Sequence, residues 1–340
     1  MANLKVNTVS GIGTEGTVFD GGLKFRSLNY LTLPKGDSVQ GGRGRALFVG
    51  GYAASPIASS VNNISYSQIQ STGTVFDFGD LTLDRWIPAS GASSTRAVIA
   101  GGYSAPDRRN TIDFVTIPTT SNAIDFGDLI TKRTYVAGFS NSTRSIVGGG
   151  NDGSNNLDSI EFLTIATTGN GNDFGDISAT TTEIVGDCSP TRGLFMGGST
   201  PTKVNTVEFI TIATTGNAQN FGDLNNAPAG GGALSSNTRA LYAGGDTPSR
   251  INTIDFFTIA TTGDATDFGD LINAVGSLYG ATSNNVRGVF VGGFINPGTN
   301  TNSIEHVTIA TTGNASDFGD LSLRTRGTTA TSDSHGGLAE

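Results

Sequence analysis

The phrase NTIDFFTIATTGDATDFGDL, residues 252–271, returns with small changes at 110–129, 158–177, 205–224 and 302–321, and in a looser form, NISYSQIQSTGTVFDFGDL, at 63–81. A chain that repeats itself this closely buries a continuous core by setting one supersecondary unit against the next. The Phe of each Phe-Gly-Asp falls at Phe78, Phe126, Phe174, Phe221, Phe268 and Phe318, a spacing of 47–50 residues. A second marker, Arg-x-x-x-x-Gly-Gly, begins at Arg45, Arg96, Arg144, Arg192, Arg239 and Arg287 and keeps step with the first.

Each unit parses into four strands. The first is rich in small residues (APAGGGALSS, YVAGFSNS), which suits strands crowded round an axis. The second, as in RALYAGG, is apolar and ends on glycines able to take positive φ. The third, NTIDFFTI, is apolar on both faces, as expected of a sheet covered on two sides. The fourth, ATDFGDL, ends on Gly-Asp and suits an outermost strand that must avoid edge pairing. Glycine is 49 of 340 residues, charged residues are only 14%, and no segment of ten or more residues shows an apolar helical period. The expectation is an all-β chain, a β-propeller of four-stranded blades.

The whole of 1–340 then forms one domain, with units at 24–81, 82–129, 130–177, 178–224, 225–271 and 272–321. The ends read as halves of a further unit. Residues 1–23 carry phrases of the third and fourth strands (NTV, VFDGG), and 322–340, with GTTATSDSHGGLAE, carry a first strand and the start of a second. Joining them predicts seven blades with the termini latched in one sheet. The alternative is six blades with a separate N-terminal arm, because KFRSLNYLTLPKGDSVQGG in the first unit can serve as an arm.

The arginine, the glycine pair and the period of about 48 resemble kelch-type β-propellers, with TTGNASDFGDL where the usual kelch blade has a tryptophan. The chain from KVNTVSGIGTEGTVFDGGLKFRSLNYLTLPKG through the IATTGNASDFGDL units to SDSHGGL resembles the kelch-like virion structural proteins of tailed phages that infect marine cyanobacteria. That resemblance implies a virion component on a tail, fibre or capsid surface, made in the host cytoplasm and present in several copies. Its partners would be other virion proteins and a host-surface receptor or glycan.

The charge pattern narrows the function classes. Net charge is −9 and the basic residues are scattered singly, so no nucleic-acid or anionic-membrane footprint is present. No run approaches the roughly 18 apolar residues of a spanning helix, and MANLKVNTVSGIG lacks a signal-peptide core, which predicts a soluble chain without membrane insertion. Cys188 alone forms no internal disulfide and reads as a small core residue. A copper oxidase on a kelch scaffold needs two His, two Tyr and a Cys joined to one Tyr. Here His306 holds a strand position occupied by Phe114, Phe162, Phe209 and Phe256 in sister units, and His335 sits in the C-terminal DSHGG. The Asp closing each Phe-Gly-Asp (Asp80, Asp128, Asp176, Asp223, Asp270, Asp320) reads as a turn former whose side chain accepts backbone N–H bonds. We expect no enzyme, cofactor or metal; the competing class is a carbohydrate-active or carbohydrate-binding propeller.

The recurring arginines Arg45, Arg96, Arg144, Arg192, Arg239 and Arg287 read as structural, each expected to pair with a third-strand acid: Asp113, Glu161, Glu208, Asp255 or Glu305. Functional signal comes instead from where the units differ. TTGNA and the turn before the arginine barely change, whereas the segment after the glycine pair varies freely: YAASPIASSVN, YSAPDRRN, GNDGSNN, STPTKVN, DTPSRIN, FINPGTNTN. In an antiparallel sheet those segments emerge on one face, together with the linkers that follow strand four. Diverse loops on a repeated scaffold are the pattern of a partner-binding face. The candidate contacts are Tyr52, Pro106, Asp107, Arg108, Arg109, Asn151, Asp152, Lys203, Arg250, Phe294 and Asn296, with Trp86 from the linker LTLDRWIP. Tyr52, Tyr103 and Phe294, directly after the glycine pair, are suited either to packing or to stacking on sugars.

Overall fold

The structure, a computed structural model, describes residues 44–73 and 75–338. The latch strands expected in 1–23 and the segment 24–43 lie outside the described residues. Among the described residues there is no helix, and six four-stranded antiparallel sheets recur at the period of the sequence, an arrangement compatible with a propeller. The third repeat shows the pattern: Ala137–Ser140, Arg144–Gly148, Ser159–Thr164 and Asn172–Asp176 lie side by side in chain order. Each inner strand lies against the inner strands of the sheets before and after it.

Local sequence dictates the burial. In the third strand, Ile160, Glu161 and Leu163 are all buried, so both faces are covered. In the fourth, the ladder register shifts by one residue between Ile160 and Glu161, a bulge that lets Phe174 point inward while Asn172 and Asp173 stay exposed. Phe174 meets Phe162 edge-on at 6.2 Å. Its burial contributes roughly 1.5–3 kcal/mol, and the residue recurs in every sheet.

The TTGNA turns do not project freely; they clasp the neighbouring sheet. Gly216 N donates to Phe174 O at 2.7 Å, Ala218 N donates to Asp176 O at 2.8 Å, and Asn217 Oδ1 accepts from Asp176 N at 3.1 Å. At Gly175 (φ +141°) a Cβ would stand 2.5 Å from the Gly216 carbonyl oxygen, so the close approach requires glycine there. This revises the role expected for the Phe-Gly-Asp aspartates: the backbone N–H of Asp176, not its carboxylate, makes the clasp.

The arginine pairing read from the sequence is also corrected. Arg96 stands opposite Thr116 and Asp113 opposite Ile99, an odd number of steps apart, so arginine and acid face opposite sides of the sheet. Arg96 stacks on Phe114 (4.5 Å) and donates to Ile165 O of the next sheet at 2.9 Å. Arg45, Arg144, Arg192 and Arg239 repeat this with Ile117, Ile212, Ile259 and Ile309, and Arg287 of the sixth sheet donates to Ile69 O of the first at 3.0 Å. The acids cap the linker of the preceding unit instead. Glu208 accepts from Ser178 N (3.1 Å), Asp255 from Asn225 N (3.0 Å) and Glu305 from Ile272 N (2.8 Å). Two acids do have arginine partners, supplied by the linkers: Arg85–Asp113 at 2.9 Å and Arg133–Glu161 at 2.6 Å, both pairs almost fully buried.

The C-terminal strand Thr329–Ser332 is an inner strand, as read from the sequence, but its partner is Arg45–Val49 of the first repeat, and it completes that sheet. It also lies against the inner strands of the second and sixth sheets, and Ser90 Oγ donates to Ala330 O at 3.0 Å. Along the inner strands, side-chain donors bond the carbonyl of the neighbouring strand: Ser140 to Ala92 (2.9 Å), Cys188 to Ser140 (3.0 Å), Ser235 to Cys188 (2.7 Å), Ser283 to Ser235, and Ser332 to Ser283 (2.6 Å). Cys188 therefore occupies a serine position. His335 fills the place beside Ala92, with Nε2 2.8 Å from Ala92 O and Nδ1 accepting from Gly337 N at 3.2 Å, which assigns the proton to Nε2.

Candidate functional site

The segments after the glycine pairs form short hairpins on the face where the strand-four linkers also emerge. Examples are Tyr103–Ser104 with Asp107–Arg108, and Phe294–Ile295 with Thr299–Asn300. The residue that opens each hairpin pairs with one linker residue at a repeated position. These pairs are Tyr52 with Arg326, Tyr103 with Trp86, Asn151 with Thr134, Ser199 with Thr182, Asp246 with Ala229 and Phe294 with Gly276. The next linker residue takes a positive φ in every repeat, at Ile87, Tyr135, Glu183, Gly230, Ser277 and Gly327. The scaffold is thus regular while the side chains it presents are not.

Those side chains divide the face into two sectors. Repeats three to five contribute Asn151, Ser199 and Asp246, small or polar. Repeats six, one and two contribute Phe294, Tyr52 and Tyr103, with Arg326 and Trp86 across from the last two. Trp86 is half-buried and lies 5.7 Å from Tyr52, 6.2 Å from Tyr103 and 5.9 Å from Tyr135. The Arg326 guanidinium lies over three rings, Phe294 at 4.8 Å, Tyr52 at 5.1 Å and Trp86 at 5.6 Å. Tyr135 continues to Tyr279 at 6.3 Å. These two precede inner strands of the third and sixth sheets, which are not neighbours, and Tyr279 lines a cavity of about 30 Å³ between inner strands, room for one or two waters. Burial first, then the nearby Glu183 carboxylate, pushes the Tyr135 phenol up.

Of the residues expected at the site, the structure brings Tyr52, Trp86 and Phe294 together through Arg326. Arg108 lies 5.5 Å from the Tyr103 ring centroid and donates to Asn151 Oδ1 at 3.2 Å. Arg250 lies over Phe294 at 4.3 Å, 3.8 Å from Asp246, and donates to the exposed Asn296 at 2.5 Å. Asp107 forms an exposed ion pair with Lys132 at 2.7 Å, which holds its carboxyl below the usual range. Asp152 is taken up by its own turn, accepting from Ser154 N and Asn155 N at 2.7 Å. Arg109 turns inward to Ser104 O at 3.2 Å, Pro106 is an exposed hairpin residue, and Lys203 lies away from the rings, on the hairpin of the fourth repeat.

Sequence reasoning missed Arg326, Tyr135, Tyr279 and Glu183. The signal for Arg326 was present: it stands at the repeat position of Trp86, five residues beyond Leu321 as Trp86 stands five beyond Leu81, the leucine that closes its own unit. Chemically the aromatic sector offers ring faces, guanidinium N–H groups and amides, which hold ligands. No group of three or more His, Cys, Asp or Glu among the described residues is arranged to hold a metal ion. His306 packs edge-on against Phe318 at 6.0 Å, and burial lowers its pKa. Among the described residues no helix is long and apolar enough to cross a membrane. No protein-family model matches the sequence, and no curated protein matches it.

Proposed function

We propose that the chain is a closed six-bladed propeller acting as a non-enzymatic interaction module of a phage virion, associated with a tail or fibre. The linker face is its contact surface, meeting other virion proteins or the host surface, and several copies are carried per particle. Six blades rather than seven are supported by Thr329–Ser332 completing the first sheet and by Arg287 donating to the first sheet as each other arginine donates to its successor. The virion assignment rests on the sequence resemblance.

The observation that carries the functional reading is the division of one face into unlike sectors on a scaffold whose clasps are all alike. Selection for folding alone would leave the hairpins as uniform as the turns of TTGNA type, which in repeats two to six depart from TTGNA by at most one residue. The test exchanges SAPDRRN (104–110) for STPTKVN (199–205) and, separately, exchanges TTGNA turns between repeats, then measures incorporation into particles and attachment to host cells. The hairpin exchange should abolish one of the two while leaving folding intact. If turn exchanges abolish both and the hairpin exchange neither, the contact face is the opposite one.

A second reading, a carbohydrate-active propeller, draws on one observation. Glu183, the positive-φ linker residue of the fourth repeat, is half-buried, and burial first, with Asp246 adding and Lys203 opposing, pushes its carboxyl up. Such a carboxyl can act as a general acid. Release of reducing sugar from host-cell polysaccharide that disappears in Glu183→Gln would favour it over pure binding.

A further inference from the structure

We propose that the sector formed by Phe294, Arg326, Tyr52, Trp86 and Tyr103 binds a carboxylate-bearing saccharide, with the Arg326 guanidinium taking the carboxylate and the rings taking the pyranose faces. The inference rests on the linker face being the contact surface and specifies what it recognises.

Arg326 is the centre of the argument. Its flat faces are occupied by three rings, which leaves the N–H groups in its plane as the ones able to bond. Nε is shut off from solvent without an acceptor, and none of the four ion pairs among the described residues uses Arg326. A guanidinium, planar by resonance and fixed in position by the surrounding rings, is already ordered for a bidentate carboxylate, so the ligand faces little further entropy cost at that contact. Arg108 and Arg250 also have an Nε without an acceptor, but each has a terminal nitrogen already bonded, Arg108 to Asn151 and Arg250 to Asn296.

Two further features select the class of anion. The chain carries a net charge of −9, so no general attraction to anions operates and each carboxylate must be met locally, as Arg326 can do. The aromatic surface beside the guanidinium is half-buried, and the exposed Asn296 on the hairpin of Phe294 uses its Oδ1 to accept from Arg250, so apolar ring faces and one amide NH2 lie within one sector. That combination matches an acidic sugar, whose C–H faces stack and whose hydroxyls bond amides, better than it matches a peptide carboxylate or free phosphate.

Trp86 is the only tryptophan in the chain, so its emission reports on this sector alone. The full-length protein at neutral pH would be titrated with a glucuronic-acid tetrasaccharide, a glucose tetrasaccharide, tetraglutamate and inorganic phosphate, following Trp86 fluorescence and binding heat. The uronate should produce a saturable change that neutral sugar, peptide and phosphate do not. Arg326→Gln should weaken uronate binding roughly 10- to 100-fold, as expected for loss of a charge-assisted contact. Arg324→Gln, an exposed arginine two residues away, should leave it unchanged, and matched melting curves would show that both variants fold. Equal binding of the glucose oligomer removes the role of Arg326, and equal binding of tetraglutamate or phosphate removes the saccharide. If no probe binds while the hairpin exchange still abolishes attachment, this inference falls and the contact face stands; if uronate binds but the exchange is silent, the reverse holds.

Discussion

Replacing Arg133 by Met should destabilise the fold by about 3–5 kcal/mol, more than any change to the six repeated arginines. The guanidinium and its partner Glu161 are 0% and 2% exposed in their side chains, 2.6 Å apart. Arg133 also donates to Gly149 O (3.2 Å), Ser159 O (2.9 Å), Ser159 Oγ (3.0 Å) and Thr131 O (3.3 Å). Methionine keeps the length of the stem but strands a buried carboxylate whose remaining donors are Ile130 N and Thr131 N. The chain itself marks the alternative: at the next boundary the equivalent residue is Thr181, and the acid there, Glu208, is only half-buried. The double variant Arg133→Met/Glu161→Leu should therefore recover most of the loss, since an apolar pair of similar volume needs no charge compensation. Arg192→Ala, which removes a stacking contact and two carbonyl bonds at a half-buried site, should cost only about 1–2 kcal/mol. Equilibrium urea unfolding of the parent, Arg133→Met, Glu161→Leu and the double variant, followed by circular dichroism, gives the coupling energy directly, with Arg192→Ala measured alongside. A single variant within about 1 kcal/mol of the parent, or a coupling near zero, would falsify the claim that this boundary depends on a compensated buried charge.

The remaining expectations concern the axis and the clasps. Burial holds the His335 imidazole down to about 4 and pushes the Asp187 carboxyl up to about 7. The histidine's folded value lies below its ordinary 6.5, so its contribution is present above pH 6.5 and drains as pH falls toward 4; the aspartate's lies above its ordinary 3.8, so its contribution is full below pH 3.8 and is lost as pH rises through 7. The two slopes oppose each other across this window, about 1.4 kcal/mol per pH unit each, so His335→Gln should make stability fall with rising pH and Asp187→Asn should make it rise. Variant curves parallel to the parent between pH 4.5 and 6.5 would remove both groups from the account. Gly175→Ala should cost more than Asn217→Ala, itself about 1 kcal/mol, because the first drives a Cβ into the Gly216 carbonyl and the second loses one hydrogen bond; the reverse order in melting experiments would show that the clasp relaxes.

The repeat made the four-strand unit, the small-residue inner strands and the exposed fourth strand readable, because each is a local pattern copied several times. The arginines were misread for a reason the sequence contained. Arg96 and Asp113 sit at ladder positions of opposite parity, and counting residues from each to the turn between strands two and three would have placed them on different faces. Glu161 found its partner in a linker, and a linker's path is not encoded by strand periodicity. The aromatic sector was half legible. Tyr52, Trp86 and Phe294 stood out singly as large residues, but Arg326 gathers them across the junction of the last linker with the first sheet, Tyr52 lying 274 residues away in the chain and Trp86 240. The clasping role of Asp176 was hidden for the same reason: its partner is the next unit, not its own turn.

The pairing of Thr329–Ser332 with Arg45–Val49 also sets an order on synthesis. The sheet whose middle strands leave the ribosome first receives its inner strand last, roughly a quarter of a minute to a minute later at 5–20 residues per second. Until then Ala46, Leu47, Phe48 and Val49, all buried in the finished fold, lack the backbone partners of that edge. The nascent chain thus carries an open apolar strand through most of translation, and crowded neighbouring copies on one message offer it the same kind of strand in trans. Chains stalled before Thr329 should accordingly associate with one another, whereas chains released at full length should not. Completion of the first sheet waits for Thr329–Ser332, so a copy that stops before them is marked as defective by the edge it leaves unpaired.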